Sequence, residues 1–373
     1  MKKVLFITAF APSEKDPAEK NTKMMLEDLS GNFMVDLVYF ADKTAGEYIP
    51  GNENIKIVKF IPNSKKYRVR NALLTPYLHP IFTVRFDKRI LKWLQERIDV
   101  ENYDALVFDH SQTFIYARRL RTSAVKCLLS HDIEAQRVER SSNKLMQRLC
   151  LATEKYVLST PNAKLFALCQ KDVDLIKKLY GLDANISYNY IEDRIIKSVP
   201  DKSNGEYVMI GSWRRPDNFE GAIWLLNGLS QHLKTSITIN IIGKNFPVEK
   251  LTPANNIKLN VLGFVDNPYP LIASCKAMLC PQLSGAGIKT KVLESMACGT
   301  PVIGNYLAFE GFSNKFESFM LRCNDVESFA QEIGRIDFSL EERIIFKNMI
   351  ISEYTKTTIP KWLCTYFGIN NIL

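Results

Sequence analysis

The densest group of chemistry-bearing residues lies between Ala277 and Ile303. An apolar run ends at Cys280-Pro281. A short loop with Gly285, Ala286 and Gly287 follows, then Ile288, Lys289, Thr290 and Lys291 lead into an amphipathic stretch that stops at Gly299. Glycines let backbone N–H groups approach a ligand closely, and a helix start offers unpaired donors and positive partial charge. Cations are unfavourable in a first helical turn, so Lys289 and Lys291 suit a bound anion such as a diphosphate. Glu294, about one turn beyond Lys291, is placed to accept hydrogen bonds from a ribose diol. The same spacing also fits a Gly-rich turn with two solvated lysines and a surface glutamate. A second candidate is His131, directly after the apolar run Val125–Leu129. An imidazole at a strand end suits proton handling as well as a structural role. Glu134 either contacts sugar or acceptor or simply begins a helix. Asp109-His110-Ser111 ends another strand and reads as architectural or acceptor-side.

These residues need strands to carry them to one edge. Val4–Phe10, Val35–Phe40, Ile55–Phe60, Ala105–Phe108 and Val125–Leu129 read as buried strands, with a further short one near Lys164–Cys169. Thr22–Leu29, Ile90–Ile98 and Thr113–Leu120 read as helices between them. Continuous apolar strands alternating with helices indicate a parallel sheet covered on both faces. A second alternating series begins near Tyr207, with strands Tyr207–Ile210, Ile237–Ile242, Ile257–Leu262, Ala277–Cys280 and Pro301–Gly304. The stretch Ser198–Gly205 has linker composition. The expected architecture is therefore α/β. A domain over 1–198 precedes a second over 206–354, and a terminal helical piece spans 355–373. Ligands of such sheets sit at the carboxyl ends of the strands. The first 30 residues hold no glycine, which argues against a dinucleotide fingerprint after the first strand.

Composition removes other classes. With 46% hydrophobic and 24% charged residues, the 373-residue chain is an ordinary globular sequence of two or three domains. Its longest uncharged stretch, Ser295 to Phe309, contains Gly299, Pro301 and Gly304; it is too short and too broken to span a bilayer. The opening Met1–Ile7 reads as a first strand rather than a signal peptide, and a cytoplasmic location is expected. The eight cysteines have neither zinc-knuckle nor Cys-x-x-C spacing, so buried thiols in a reducing compartment are expected. The net charge of +9 is local: residues 51–100 carry 11 basic and 4 acidic side chains, while 201–373 carry 17 and 16. There Lys65, Lys66, Arg68 and Arg70 interleave with Tyr67, Leu73, Leu74 and Tyr77. An anionic membrane surface fits that pattern, and so does a solvated helix with an apolar inner face. Nucleic acid has no recognised motif in its favour and is not expected as a partner.

The 277–311 block resembles the donor-site signature of the retaining nucleotide-sugar glycosyltransferases of family 4, in particular a bacterial polysaccharide branch that shares Gly-x-Gly-x-Lys-x-Lys-Val-Leu-Glu and a later Glu-Gly, here Glu310-Gly311. Ile210-Gly211-Ser212-Trp213-Arg214-Arg215 is similar to the opening of that family's donor domain, and Leu262-Gly263-Phe264-Val265-Asp266 to a later strand end. His131-Asp132-Ile133-Glu134 resembles its His-Asn-x-Glu segment. The resemblance implies a GT-B fold, two Rossmann-like domains facing a cleft, with the C-terminal helix returning to the first domain. It implies a nucleotide-diphosphate sugar donor held by Gly211, Arg214, Arg215, Phe264, Val265, the Gly285–Thr290 loop and Glu294. His131 would lie beside the reacting sugar. It further implies a glycan or lipid-linked acceptor, with neither metal nor cofactor required. Three departures stand out: Ala286 replaces the first glutamate of the family's pair, and Ser212 and Asn218 replace its phosphate-binding Arg and Lys. Lys289 with Arg214 or Arg215 is the expected compensation. The alternatives are a nucleotide-sugar epimerase of the same fold and a catalytically silent nucleotide-sugar-binding scaffold, the latter suggested by Ala286.

Overall fold

The computed structural model describes all residues except 42–47, 140–142, 201–202, 286 and 370–373. The chain divides into two compact units, Met1–Tyr190 with Thr357–Leu373, and Ile191–Lys356.

The first unit holds strands β1 (Lys2–Thr8), β2 (Phe33–Ala41), β3 (Ile55–Pro62), β4 (Ala105–Asp109), β5 (Val125–Ser130), β6 (Ala163–Ala167) and β7 (Asn185–Ile186). They pair in the order β3-β2-β1-β4-β5-β6-β7, every pair parallel. Both faces are covered, as the continuous apolar strands demand. Leu5, Ile7, Leu106 and Phe108 face one apolar cluster; Val4, Phe6, Ala105 and Val107 face the other. The second cluster also takes in Ile359, Leu363 and Cys364 of the helix Ile359–Phe367. Thr358 caps that helix and Ile359 N–H bonds Ser187 Oγ at 3.1 Å, so the terminal helix is part of the first unit.

The second unit holds β8 (Tyr207–Ile210), β9 (Ile237–Ile242), β10 (Ile257–Gly263), β11 (Ala277–Cys280), β12 (Val302–Gly304) and β13 (Met320–Arg322), paired β10-β9-β8-β11-β12-β13 and again parallel. Residues 191–198, placed in the first domain by the sequence pattern, lie with this unit. Tyr269 Oη bonds Glu192, and Lys347 Nζ bonds Ile195 O at 2.8 Å. A second buried cation, Arg343, donates to the carbonyls of Gly299 at 2.8 Å, Ala273 at 2.6 Å and Cys275 at 3.1 Å. It satisfies carbonyls where two helices end, where positive charge is favourable.

Strand placement follows the apolar runs to within a few residues. One expected helix is absent: Ser111–Arg119 forms successive tight turns instead. Thr113, Phe114, Tyr116 and Arg119 N–H groups bond three residues back rather than four, and Thr113 Oγ1 donates to Asp109 O and His110 O. That hydroxyl competes for the carbonyls a helix would use. All eight cysteines are free and buried. Among the described residues no helix is long and apolar enough to cross a membrane.

Candidate active site

In an open parallel sheet, a crevice opens where the strand order reverses. The reversal lies between β1 and β4 in the first unit and between β8 and β11 in the second. Gly211 and the Gly285–Lys291 loop follow β8 and β11, Asp109 ends β4, and His131 follows the neighbouring β5.

In the second unit the chain leaves β8 through Gly211, whose N–H bonds Ile242 O at 3.1 Å. Gly243 is required opposite: a Cβ there would lie 1.9 Å from Gly211 O, and its φ is +119°. Trp213, buried, donates Nε1–H to Ile242 O at 2.9 Å and turns the chain toward the helix Pro216–Leu229. The two candidate arginines have protein partners. Arg214 Nε bonds Asn245 Oδ1 at 2.9 Å, and Arg215 makes a two-point contact with Asp217 at 3.1 and 2.7 Å.

The loop after β11 is clamped by a residue the sequence pattern missed. Gln282, buried, donates Nε2–H to Asp217 O at 2.6 Å and Ser284 O at 2.8 Å. Its backbone bonds Asn305 in both directions, at 3.2 and 2.7 Å. Gln282 thus ties the first turn of the helix after β8 to the loops after β11 and β12. Gly285 and Gly287 take left-handed φ values of 107° and 69°, which glycine tolerates without strain. Ala286 lies outside the described residues.

The helix begins at Thr290, with Lys289 as its cap residue. This separates the two lysines. Lys289 bends back to Gly287 O at 2.7 Å, and its amine is 3.9 Å from the buried carboxylate of Glu310. Lys291 sits in the first turn and reaches across to Asn218 Oδ1 at 2.9 Å, while Asn218 Nδ2 holds Ser212 O at 3.1 Å. Its one side-chain partner among the described residues is therefore a neutral amide.

Glu294 lies 3.4 Å from the Tyr269 hydroxyl, which also bonds Glu192. Burial first, and the Glu294 charge second, push the Tyr269 phenol far above its ordinary pKa, so it keeps its proton. One proton cannot serve two carboxylates, and the longer contact to Glu294 is the looser. Tyr269 and Glu192 carry no sequence motif; only the fold reveals them. Phe264 is exposed, with Lys244 Nζ 5.0 Å from its ring centre, and Val265 beside it is half-buried.

In the first unit Thr8, at the end of β1, is paired in register with Asp109 at the end of β4. Asp109 is fully buried and accepts from Thr8 Oγ1 at 2.9 Å, Thr22 Oγ1 at 2.6 Å and His131 Nε2 at 2.7 Å. Burial opposes its ionisation, but the neighbouring imidazoles and these hydrogen bonds outweigh it and hold the carboxyl well below its ordinary range. An ionised carboxylate only accepts. Nε2 of His131 therefore carries the hydrogen of this contact.

His110 has a left-handed backbone, φ +68°, and stacks on His131 with ring centres 3.7 Å apart and planes at 16°. Burial, then the His131 charge, push its pKa down to about 3, against the pull of Asp109. Asp109, His110 and His131 have metal-ligand spacing, with candidate atoms within 4.8 Å of one another. Ring nitrogens donate in the ring plane, so two nearly parallel stacked imidazoles send their lone pairs side by side rather than toward one ion. The arrangement is better matched to a hydrogen-bonded Asp–His pair.

Glu134 starts a helix whose first two N–H groups bond the Glu154 carboxylate at 2.9 and 2.8 Å, a cap supplied from 20 residues away. Burial pushes the Glu134 pKa up to about 7, partly offset by Arg137, its ion-pair partner at 2.8 Å. The basic segment forms a helix over Lys65–Leu73. Lys65 and Lys66 are exposed, as are Val69, Leu73, Leu74 and Tyr77. Arg70 is exposed too, but it pairs with Asp87 and stacks on Tyr67.

With this geometry in view, residues 205–336 match the family described as Glycosyl transferases group 1, which supports a glycosyltransferase. No curated protein is detectably similar to the chain in sequence. Solved structures share its fold. A sucrose-phosphate synthase from Thermosynechococcus elongatus superposes with TM-score 0.68 at 12% identity over 98% of each chain. WaaG, a glycosyltransferase involved in lipopolysaccharide biosynthesis, gives 0.61 at 14% over 97% of this chain and 99% of its own. HepE of Anabaena, solved in complex with UDP, gives 0.62 at 13% over 98% and 99%. The GT-B class of fold expected from the resemblance, two Rossmann-like α/β units, is the fold observed.

Proposed function

We propose that the chain is a retaining glycosyltransferase that moves a hexose-type sugar from a nucleotide-diphosphate donor to a glycan or lipid-linked acceptor in surface polysaccharide synthesis. The observation that carries this reading is the glycine loop and helix start at the β8/β11 reversal, with Lys291 held there by a neutral amide. In this reading the second unit binds the donor. Backbone N–H groups from Gly285 to Thr290, Gly211 and Lys291 face the diphosphate. Lys289 contributes less, because Glu310 already offsets its charge. Glu294 takes the ribose and the Phe264–Val265 turn the base. The solved UDP complex of a protein with the same fold supports a uridine donor.

Catalysis then rests on stabilising the leaving diphosphate by donors fixed before reaction. The diphosphate oxygen takes the acceptor proton on the face it vacates, which retains configuration. No metal or cofactor enters the proposal. The first unit binds the acceptor, and His131, its tautomer set by Asp109, contacts the reacting sugar. Lys65, Lys66, Leu73, Leu74 and Tyr77 dock the first unit on an anionic membrane at its cytoplasmic face. A silent nucleotide-sugar-binding scaffold is the second reading, favoured by Ala286 where the family carries a glutamate. Calorimetry with a panel of UDP- and GDP-sugars, followed by transfer of labelled sugar to a lipid-linked acceptor, separates the two. Transfer supports the enzyme; tight donor binding with no turnover on any acceptor supports the scaffold; absence of binding by every donor overturns both.

A further inference from the structure

Arg85 is a buried arginine without a counter-charge. It is 6% exposed, and unlike Arg343 it bonds only one backbone carbonyl, Ala9 O, rather than a set of helix-end carbonyls. Its Nε donates to Ala9 O at 3.0 Å, its Nη1 to Gln112 Oε1, and its guanidinium lies 4.7 Å from the Phe10 ring centre. All three partners are neutral. Among the described residues no carboxylate stands within ion-pair distance of it. Glu134, the carboxylate that acts on it from further away, is paired with Arg137. A second arginine makes the imbalance worse. Arg68 repels Arg85 closely enough to help pull its pKa down to about 10, the larger cause being burial itself. The Arg68 side chain makes no hydrogen bond or ion pair among the described residues.

A buried charge without an ion-pair partner is costly, and a second positive charge acting on it adds to that cost. A ligand that supplies the missing negative charge relieves both effects. The position has meaning. Arg85 lies over Phe10, Phe10 meets His110 edge-on at 5.0 Å, and His110 stacks on His131. The uncompensated charge therefore sits two ring contacts from the Asp109–His131 pair, at the carboxyl edge of β1 and β4, within the first unit.

We propose that Arg85 and Arg68 bind a phosphate group carried by the acceptor, beside the His110–His131 stack. This deepens the transferase reading by naming the acceptor's chemistry, and it rests on that reading's assignment of the acceptor to the first unit. It also moves Arg68 from the membrane-facing set to the substrate site. Arginine suits the task because its planar fork engages phosphate oxygens in pairs. The phosphate belongs either to a soluble sugar phosphate or to a lipid-linked phosphate.

Calorimetry on the full chain tests this with glucose 1-phosphate, farnesyl diphosphate and glucose as probes, and UDP as the donor-site control. The expected result is binding of at least one phosphate probe, no binding of glucose, and about tenfold weaker phosphate-probe binding in Arg85→Gln and in Arg68→Gln, with UDP affinity unchanged. Binding of glucose 1-phosphate alone assigns the soluble source, and binding of farnesyl diphosphate alone the lipid-linked one. Arg85 also has protein partners, so a melting curve accompanies each variant; Arg68→Gln, which breaks no hydrogen bond, decides if Arg85→Gln does not fold. The proposal falls if neither phosphate probe binds, if UDP displaces the probes, or if Arg68→Gln leaves their affinity unchanged. Failure of UDP to bind, with probe binding still sensitive to both arginines, overturns the donor reading alone.

Discussion

The two strand-order reversals are built from opposite materials. Beside β1 and β4 the chemistry is side chains: one buried carboxylate holds two threonines and a histidine in fixed geometry. Beside β8 and β11 it is mostly backbone: two left-handed glycines, a helix start and a lysine on a neutral partner. The first arrangement fixes a tautomer and suits contact with a reacting sugar. The second has backbone donors suited to an anion, the role proposed for it with the leaving diphosphate. A substitution at one should therefore change turnover, and at the other affinity.

The largest effect is expected at His131. His131→Ala should lower kcat by about 10²- to 10³-fold, the usual worth of one positioned group that stabilises a transition state, while UDP affinity measured by calorimetry stays the same. Asp109→Asn should lower kcat at least about tenfold by releasing the tautomer. A parallel loss of UDP affinity in either variant would break the contrast. Next in size are Lys291→Met and Glu294→Ala, each expected to weaken UDP by about 10- to 100-fold, the equivalent of a hydrogen bond to a charged group. Arg215→Gln should change UDP affinity little, because Asp217 already occupies that guanidinium. An Arg215 effect equal to that of Lys291 would return the diphosphate contact to the arginine.

The difference in materials also explains what could be read beforehand. Gly285, Gly287, Lys289, Lys291 and Glu294 are neighbours in sequence, because a strand–loop–helix turn makes a backbone site from one segment. The first-unit site gathers Thr8, Thr22, Asp109 and His131 from four segments, and only sheet register brings Thr8 to Asp109. His131 was legible as a strand-end residue, but its partner was not. Tyr269 behind Glu294, Glu154 capping the Glu134 helix, and Gln282 bridging a helix start and two loops had no local signature at all. The strands were legible because apolar runs must be buried on both faces. The Ser111–Arg119 turns were not, because the deciding interaction is the Thr113 hydroxyl rather than hydrophobic period.

The side-chain site should also carry a pH signature. Glu134, raised from 4.5 to about 7, binds its proton more tightly folded than unfolded, so it makes stability fall as pH rises from about 4.5 to 7. His110, lowered from 6.5 to about 3, does the reverse, and its contribution rises with pH between about 3 and 6.5. The two slopes oppose one another in the shared window. Glu134→Gln removes one of them, so its stability relative to wild type should climb with pH by at most about 1.4 kcal/mol per unit. Urea unfolding at a series of pH values reads this directly, and parallel curves for the two proteins would remove Glu134 from the set of groups titrating near neutrality.

The smallest expected effect applies the same distinction, occupied charge against available charge, to the basic helix. Lys65 and Lys66 have no ion-pair partner among the described residues, whereas Arg70 is held by the buried carboxylate of Asp87. A cation near an anionic surface contributes about 1 kcal/mol, or roughly fivefold in partition coefficient. Lys65→Gln and Lys66→Gln should each weaken binding to vesicles containing phosphatidylserine by about that factor, more at low salt than at high salt. Arg70→Gln should weaken it less, since its charge is already neutralised, and should instead lower the melting temperature slightly by removing one of the two arginines that pair with Asp87. Equal vesicle binding by all three variants and wild type would reduce the helix to a solvated face, and Leu73, Leu74 and Tyr77 to isolated surface apolar residues.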